Sequence, residues 1–122
     1  MPRFVVLRHE SRRGLHWDLM LETGAVLATW ALPEEPDAPG PMLAEVLPDH
    51  RPAYLDYEGP VSGGRGSATR WDRGTCAVSQ QSDAEWIVAL EGERLAGTAT
   101  LRRLPDDPDR WHFSYQPRAA AH

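Results

Sequence analysis

The chain has 122 residues and a formal net charge of −5, its basic residues are all arginine, and it contains one cysteine. That length holds one domain with a real core, and no apolar run approaches the roughly 18 residues of a membrane span. The charge argues against a surface that coats nucleic acid, and the lone Cys76 excludes a disulfide framework or a cysteine-based zinc site. No signal-type segment opens the chain, so the expectation is a cytoplasmic monomer without a membrane partner. The domain is expected over residues 1–117, with a disordered tail at 118–122.

Residues 3–9 (R-F-V-V-L-R-H) are rich in strand-forming types and read as a first strand. After the loop S-R-R-G, residues 16–22 alternate His16, Asp18, Met20 and Glu22 with Trp17, Leu19 and Leu21. On a strand, residues i and i+2 share a face, so His16 and Asp18 project together beside an apolar core face. His9 can return across the short loop as a third ligand. Two imidazoles and a carboxylate form a set used in catalytic metal sites, and a carboxylate among strand apolars is costly without such a partner.

Thr23-Gly24 signals a turn into a hairpin strand over 25–32, and the proline-rich residues 33–41 form a loop. Residues 42–47 read as a short strand or a helical turn. Residues 48–52 form a proline-braced turn holding His50, 54–58 a short extended piece, and 59–66 (G-P-V-S-G-G-R-G) a glycine-rich loop. That loop lacks the G-K-[ST] ending of a phosphate-cradling P-loop, so a hairpin connection is the simpler reading, with Arg65 at its centre. Strands are expected at 67–73, 75–80, 84–90, 94–104 and 110–115. With no long helical period and turn signals every eight to twelve residues, the pattern is an all-β antiparallel barrel or sandwich with little helix.

Trp17, Trp30, Trp71, Trp86 and Trp111 fall within these strands and read as core rather than as base-stacking platforms. Cys76 reads as packing, and His112 and His122 as ordinary histidines. The series His16-x-Asp18…His50 also fits the pattern of non-haem iron oxygenases, but the chain is small for their double-sheet barrel.

The ordered series F-V-V-L-R-H, R-R-G-L-H-W-D-L-M-L-E, V-L-A-T-W-A-L-P, D-H-R-P-A-Y-L-D-Y-E-G, W-D-R-G-T, L-E-G-E-R-L-A-G-T-A-T-L-R-R-L and W-H-F-S-Y resembles the 3′-phosphoesterase domain of bacterial DNA ligase D and its stand-alone relatives. The likeness spans about residues 3–115. It implies a compact β-barrel that trims nucleic-acid 3′ ends during break repair, with DNA or RNA/DNA ends and end-joining proteins as partners. It implies a divalent metal, typically manganese, on His9, His16 and Asp18, with His50 and Tyr54 as catalytic residues. The chain departs from the family at four polar or basic positions, occupied here by Leu7, Met20, Glu34 and Met42, and has one residue more between His9 and His16. Arg12, Arg13, Arg65 and Arg70 are the cations left to grip a phosphate, with Arg13, Arg65 and Arg70 as candidate substrate-binding residues. Two functions follow as expectations: a metal-dependent phosphoesterase with an altered clamp, or a metal-stabilised accessory module without activity.

Overall fold

The computed structural model describes residues 1–61 and 63–118. Its strands are β1 (Arg3–Ser11), β2 (Gly14–Thr23), β3 (Val26–Leu32), β4 (Met42–His50), β5 (Gly59–Pro60), β6 (Ser67–Gln81), β7 (Glu85–Gly92), β8 (Ala96–Leu104) and β9 (Asp107–Pro117), and Pro52–Leu55 form a 3-10 turn. The hydrogen-bonded order is β1-β2-β3-β4-β9-β8-β7-β6, and β1 pairs again with β6, so eight antiparallel strands close into a barrel with β5 as a short flap on β6. No described helix is long and apolar enough to cross a membrane.

Closure gives each strand an interior and an exterior face, and the alternation in the sequence sorts residues between them. Phe4, Val6, Trp17, Leu19, Leu21, Trp30, Leu32, Val88, Leu101 and Phe113 fill the interior. Trp30 sits edge-on to Trp86 at 5.2 Å and to Trp111 at 5.7 Å, in the T-shaped arrangement aromatic rings prefer. Four of the five tryptophans are therefore core. Trp71 is half-buried against that core with the Arg94 guanidinium 4.5 Å above its ring.

The opposite faces of β1, β2, β3 and β6 carry a second apolar cluster, Val5, Leu7, Met20, Leu27 and Ala68, capped by Leu55 of the 3-10 turn. This exterior cluster forms because the chain between β4 and β6 folds back over the barrel wall. It makes the wall beside β1 and β2 a sheltered place for polar side chains.

Four local expectations are corrected. The proposed turn at 48–52 is the bulged end of β4: Leu27 pairs with His50 and Thr29 with Leu47, leaving Pro48 and Asp49 outside the ladder. A proline at a bulge forfeits no ladder hydrogen bond. The piece at 54–58 is not extended, because Pro52 opens a 3-10 turn in which the Tyr54 N–H reaches the Arg51 carbonyl, a position where proline is favoured. Strands expected at 67–73 and 75–80 are one strand. Gly74 is no turn glycine: it faces Phe4 on one side and Gly92 on the other, and a Cβ there would lie 1.9 Å from the Glu91 carbonyl oxygen. The glycine-rich loop begins as strand, since Gly59 and Pro60 pair with Ala68 and Ser67. Of the expected tail, residues 119–122 lie outside those described; Arg118 donates its N–H to the Ala96 carbonyl and pairs with Glu91.

Candidate metal centre

β1 and β2 form a hairpin whose register sets His9 opposite His16 and Leu7 opposite Asp18. Because His9, His16 and Asp18 occupy the exterior phase of their strands, all three point to the same patch of wall. One ligand atom from each lies within 4.8 Å of the others, the cluster among the described residues suited to a metal. His9 Nδ1 is 3.1 Å from His16 Nε2. His16 Nε2 is 3.1 Å from Asp18 Oδ1, and His9 Nδ1 is 3.6 Å from Asp18 Oδ2.

These separations test whether an ion fits. Donors about 2.0–2.2 Å from a common cation are separated from one another by about 3.0–3.5 Å in octahedral or tetrahedral geometry. The three distances fall in or close to that range. Asp18 is 5% exposed, and its buried Oδ1 has no hydrogen-bond partner despite lying close to His16. An orphaned carboxylate oxygen beside two imidazole nitrogens is what a cation-binding set leaves when the cation is left out of account. The mixed N,N,O donor set suits a transition metal or zinc rather than calcium.

The hydrogen bonding of His9 agrees, whereas the surroundings of His16 favour its protonated form, with which an ion must compete. His9 Nε2 donates to the Arg65 carbonyl at 2.6 Å, which leaves Nδ1 as the lone-pair atom facing the cluster. Contact with the Asp18 carboxylate raises the His16 imidazolium above the ordinary histidine range, with burial pulling the other way and Glu45 adding a smaller push upward.

The trio lines one side of an open cleft of about 1070 Å³. His50 and Tyr54 line it as well, brought there by the β4 bulge and the 3-10 turn, with their rings edge-on at 5.4 Å. His50 Nδ1 donates to the Pro48 carbonyl at 2.8 Å. Arg13 and Arg65 line the cleft with Arg12, Arg51 and Arg110. Arg70 is not among the lining residues; its guanidinium lies 3.6 Å from Glu58, and its backbone N–H donates to the same carboxylate at 2.9 Å.

The four departures separate into two kinds. Leu7 and Met20 are 1% exposed, belong to the exterior apolar cluster and border the cleft beside Asp18. Met42 instead packs inside the barrel, while its neighbour Leu43, 51% exposed, faces the cleft. Glu34 is exposed in the loop after β3 and is not among the lining residues. Glu34 is thus not part of this cleft, and of the four departures Leu7 and Met20 contribute to its apolar lining, together with residues such as Leu47 and Ala68.

Glu45 was not singled out by the sequence. Register places it across Ala31 from Asp18, with Arg110 as its neighbour on β9. Its signal is the alternation of β4, Leu43, Glu45 and Leu47 against Met42, Ala44 and Val46, but the side facing the cleft is decided by closure of the barrel.

The family model of the DNA Ligase D 3′-phosphoesterase domain matches residues 7–103. The multifunctional non-homologous end joining DNA repair protein LigD of Mycobacterium tuberculosis is 36% identical over 117 residues, covering 88% of this chain and 15% of that protein. LigD of Pseudomonas aeruginosa is 32% identical over 121 residues, covering 91% of this chain and 13% of the relative. LigD of Mycolicibacterium smegmatis is 32% identical over 115 residues, covering 81% and 15%. The chain therefore spans only about one seventh of the length of these curated relatives. With the match covering most of the barrel, including β2 and its His16-x-Asp18 pair, this chain belongs to the DNA ligase D 3′-phosphoesterase domain family.

Proposed function

We propose that this chain is a metal-dependent phosphoesterase acting on nucleic-acid 3′ ends, with His9, His16 and Asp18 holding the ion and manganese as the ion to test first. One observation carries the reading: in a barrel of this family, three ligand atoms converge within 4.8 Å at the wall of a cleft that also holds His50 and Tyr54. DNA or RNA/DNA 3′ ends are the proposed substrates and end-joining repair the proposed setting, in keeping with the 3′-phosphoesterase family and with its end-joining relatives.

When bound, a divalent ion here neutralises charge on a phosphoryl oxygen and makes a water more acidic. The rest falls to side chains. His50 uses Nδ1–H to hold the Pro48 carbonyl, so Nε2 carries the lone pair that can accept the attacking water's proton, while the leaving oxygen takes its proton from solvent. Tyr54, edge-on to His50, fixes the tilt of that ring. Arg13 and Arg65 bind phosphates of the strand and set its register without reading sequence. Arg70 stays with Glu58 and in this reading steadies the segment that covers the exterior cluster.

A second reading has its own observation. Leu7 and Met20 give the cleft an apolar floor beside Asp18, and positive charge placed where negative charge develops is the main source of catalysis in phosphoryl transfer. The alternative is a metal-binding barrel that engages ends or repair proteins without cleaving them. A manganese-dependent assay on 3′-phosphate and 3′-ribonucleotide primer–templates separates the two, using wild type, His9→Ala and Met20→Arg. The enzyme reading expects wild-type turnover that His9→Ala lowers by at least about 100-fold, the scale of losing one stabilising group. An inert wild type with activity appearing only in Met20→Arg would establish the accessory module instead.

A further inference from the structure

Apart from the Arg65 side chain, the glycine-rich segment at 59–66 has no place in the proposed chemistry, yet its backbone touches the metal cluster at one atom. His9 Nε2 meets the Arg65 carbonyl oxygen at 2.6 Å, a contact spanning 56 residues of sequence. An imidazole whose outer nitrogen is held by a carbonyl is locked in one tautomer and one orientation, and such outer contacts raise metal affinity.

The loop is built to deliver that carbonyl. Its ends are tied by the β5–β6 pairing and by the Val61 N–H bonding the Gly66 carbonyl at 2.8 Å. Gly63, Gly64 and Gly66 have φ of +75°, +68° and +86°, a region that side chains with a Cβ enter at a cost. At Gly66 there is also no room: a Cβ would lie 1.7 Å from the Glu10 carbonyl oxygen and 2.9 Å from Ser11 Cα. The loop is thereby seated against the end of β1, one residue from His9. It offers the site a carbonyl rather than the N–H groups a phosphate cradle would present.

We infer that this loop is a positioning element for the metal centre, acting through the Arg65 backbone carbonyl on His9 Nε2 and seated by Gly66. The inference rests on the metal-centre reading above, and its test keeps the two apart.

Manganese affinity is measured by calorimetry for wild type, Gly66→Ala, Gly64→Ala and Arg65→Ala, with folding checked by circular dichroism. The His9 tautomer is read by nitrogen-15 NMR on the metal-free protein. Wild type should carry the His9 proton on Nε2. Gly66→Ala should weaken manganese binding by about 10–100-fold, the usual effect of losing an outer-sphere contact, and shift the tautomer. Gly64→Ala, where a Cβ meets nothing within 4 Å, strains the loop without a clash; it supplies the comparison if Gly66→Ala does not fold and should also shift the tautomer. Arg65→Ala keeps the carbonyl, so in folded protein it should weaken manganese binding less than Gly66→Ala does. The inference is overturned if folded glycine variants bind manganese like wild type, or if His9 is protonated on Nδ1 in wild type. A wild type that binds no manganese yet shows the Nε2 tautomer, shifted in the glycine variants, defeats the metal reading while leaving the positioning contact standing.

Discussion

Asp72→Asn tests the packing that keeps the barrel closed. Asp72 is 1% exposed. Its Oδ1 accepts the backbone N–H groups of Arg73, Glu93 and Arg94 at 2.8, 2.8 and 3.1 Å, and Oδ2 accepts that of Leu95 at 2.8 Å. One buried carboxylate thus satisfies three donors of the connection between β7 and β8 as well as its own neighbour. Asparagine has nearly the same shape. In its better orientation the oxygen keeps three donors, and the amide nitrogen faces the Leu95 N–H. Leaving that donor buried without a partner costs about 1–3 kcal/mol. The other three bonds lose their charge assistance, roughly halving each, for about 1–3 kcal/mol more. The sum, about 2–6 kcal/mol, is a large share of the 5–15 kcal/mol typical of a domain. Urea unfolding should show a lower midpoint with an unchanged slope, while Asp83→Asn at an exposed position should stay within about 0.5 kcal/mol. A loss below about 1.5 kcal/mol for Asp72→Asn would refute the assignment of these bonds as charge-assisted.

Two further outcomes follow from the site and the core. Manganese at a hundredfold excess over its dissociation constant should raise unfolding stability by about 2.7 kcal/mol; His16→Ala should abolish the increment, and an increment that survives would remove His16 from the ligand set. Burial pushes the Cys76 thiol up to about 11 from 9.0, so near neutral pH it should resist alkylation until the protein unfolds. The unfolded chain gives up that proton first, so this group's contribution to stability is intact below pH 9 and declines between 9 and 11. Rapid labelling of Cys76 in native protein would contradict its placement.

Much of the site was legible because it depends on a period of two. Any strand through residues 16–22 places His16 and Asp18 on one face and Trp17, Leu19 and Leu21 on the other, and a short loop back to His9 brings in the third member of the cluster. Composition and turn spacing likewise specify an antiparallel β architecture. What they leave open is which sheet edge meets which. The pairing of β1 with β6 closed the barrel, and only then did the exterior face of β1 and β2 become a sheltered wall rather than open surface.

The remaining features depend on contacts between residues far apart in the chain. Pro48 looked like a turn because proline ends ladders, but a bulge against β3 absorbs it and carries His50 into the cleft. Gly74 looked like a strand break, but it marks the point where β6 exchanges one neighbour for another. Met42 and Leu43 are adjacent and similar in polarity, and only closure decides that the first fills the core and the second faces the cleft. The sequence by itself determined that His9, His16 and Asp18 come together, because strand geometry acts over neighbouring residues. The tertiary structure alone decided what else surrounds them, the Arg65 carbonyl and Glu45, because those placements arise from strand register and loop seating across dozens of residues.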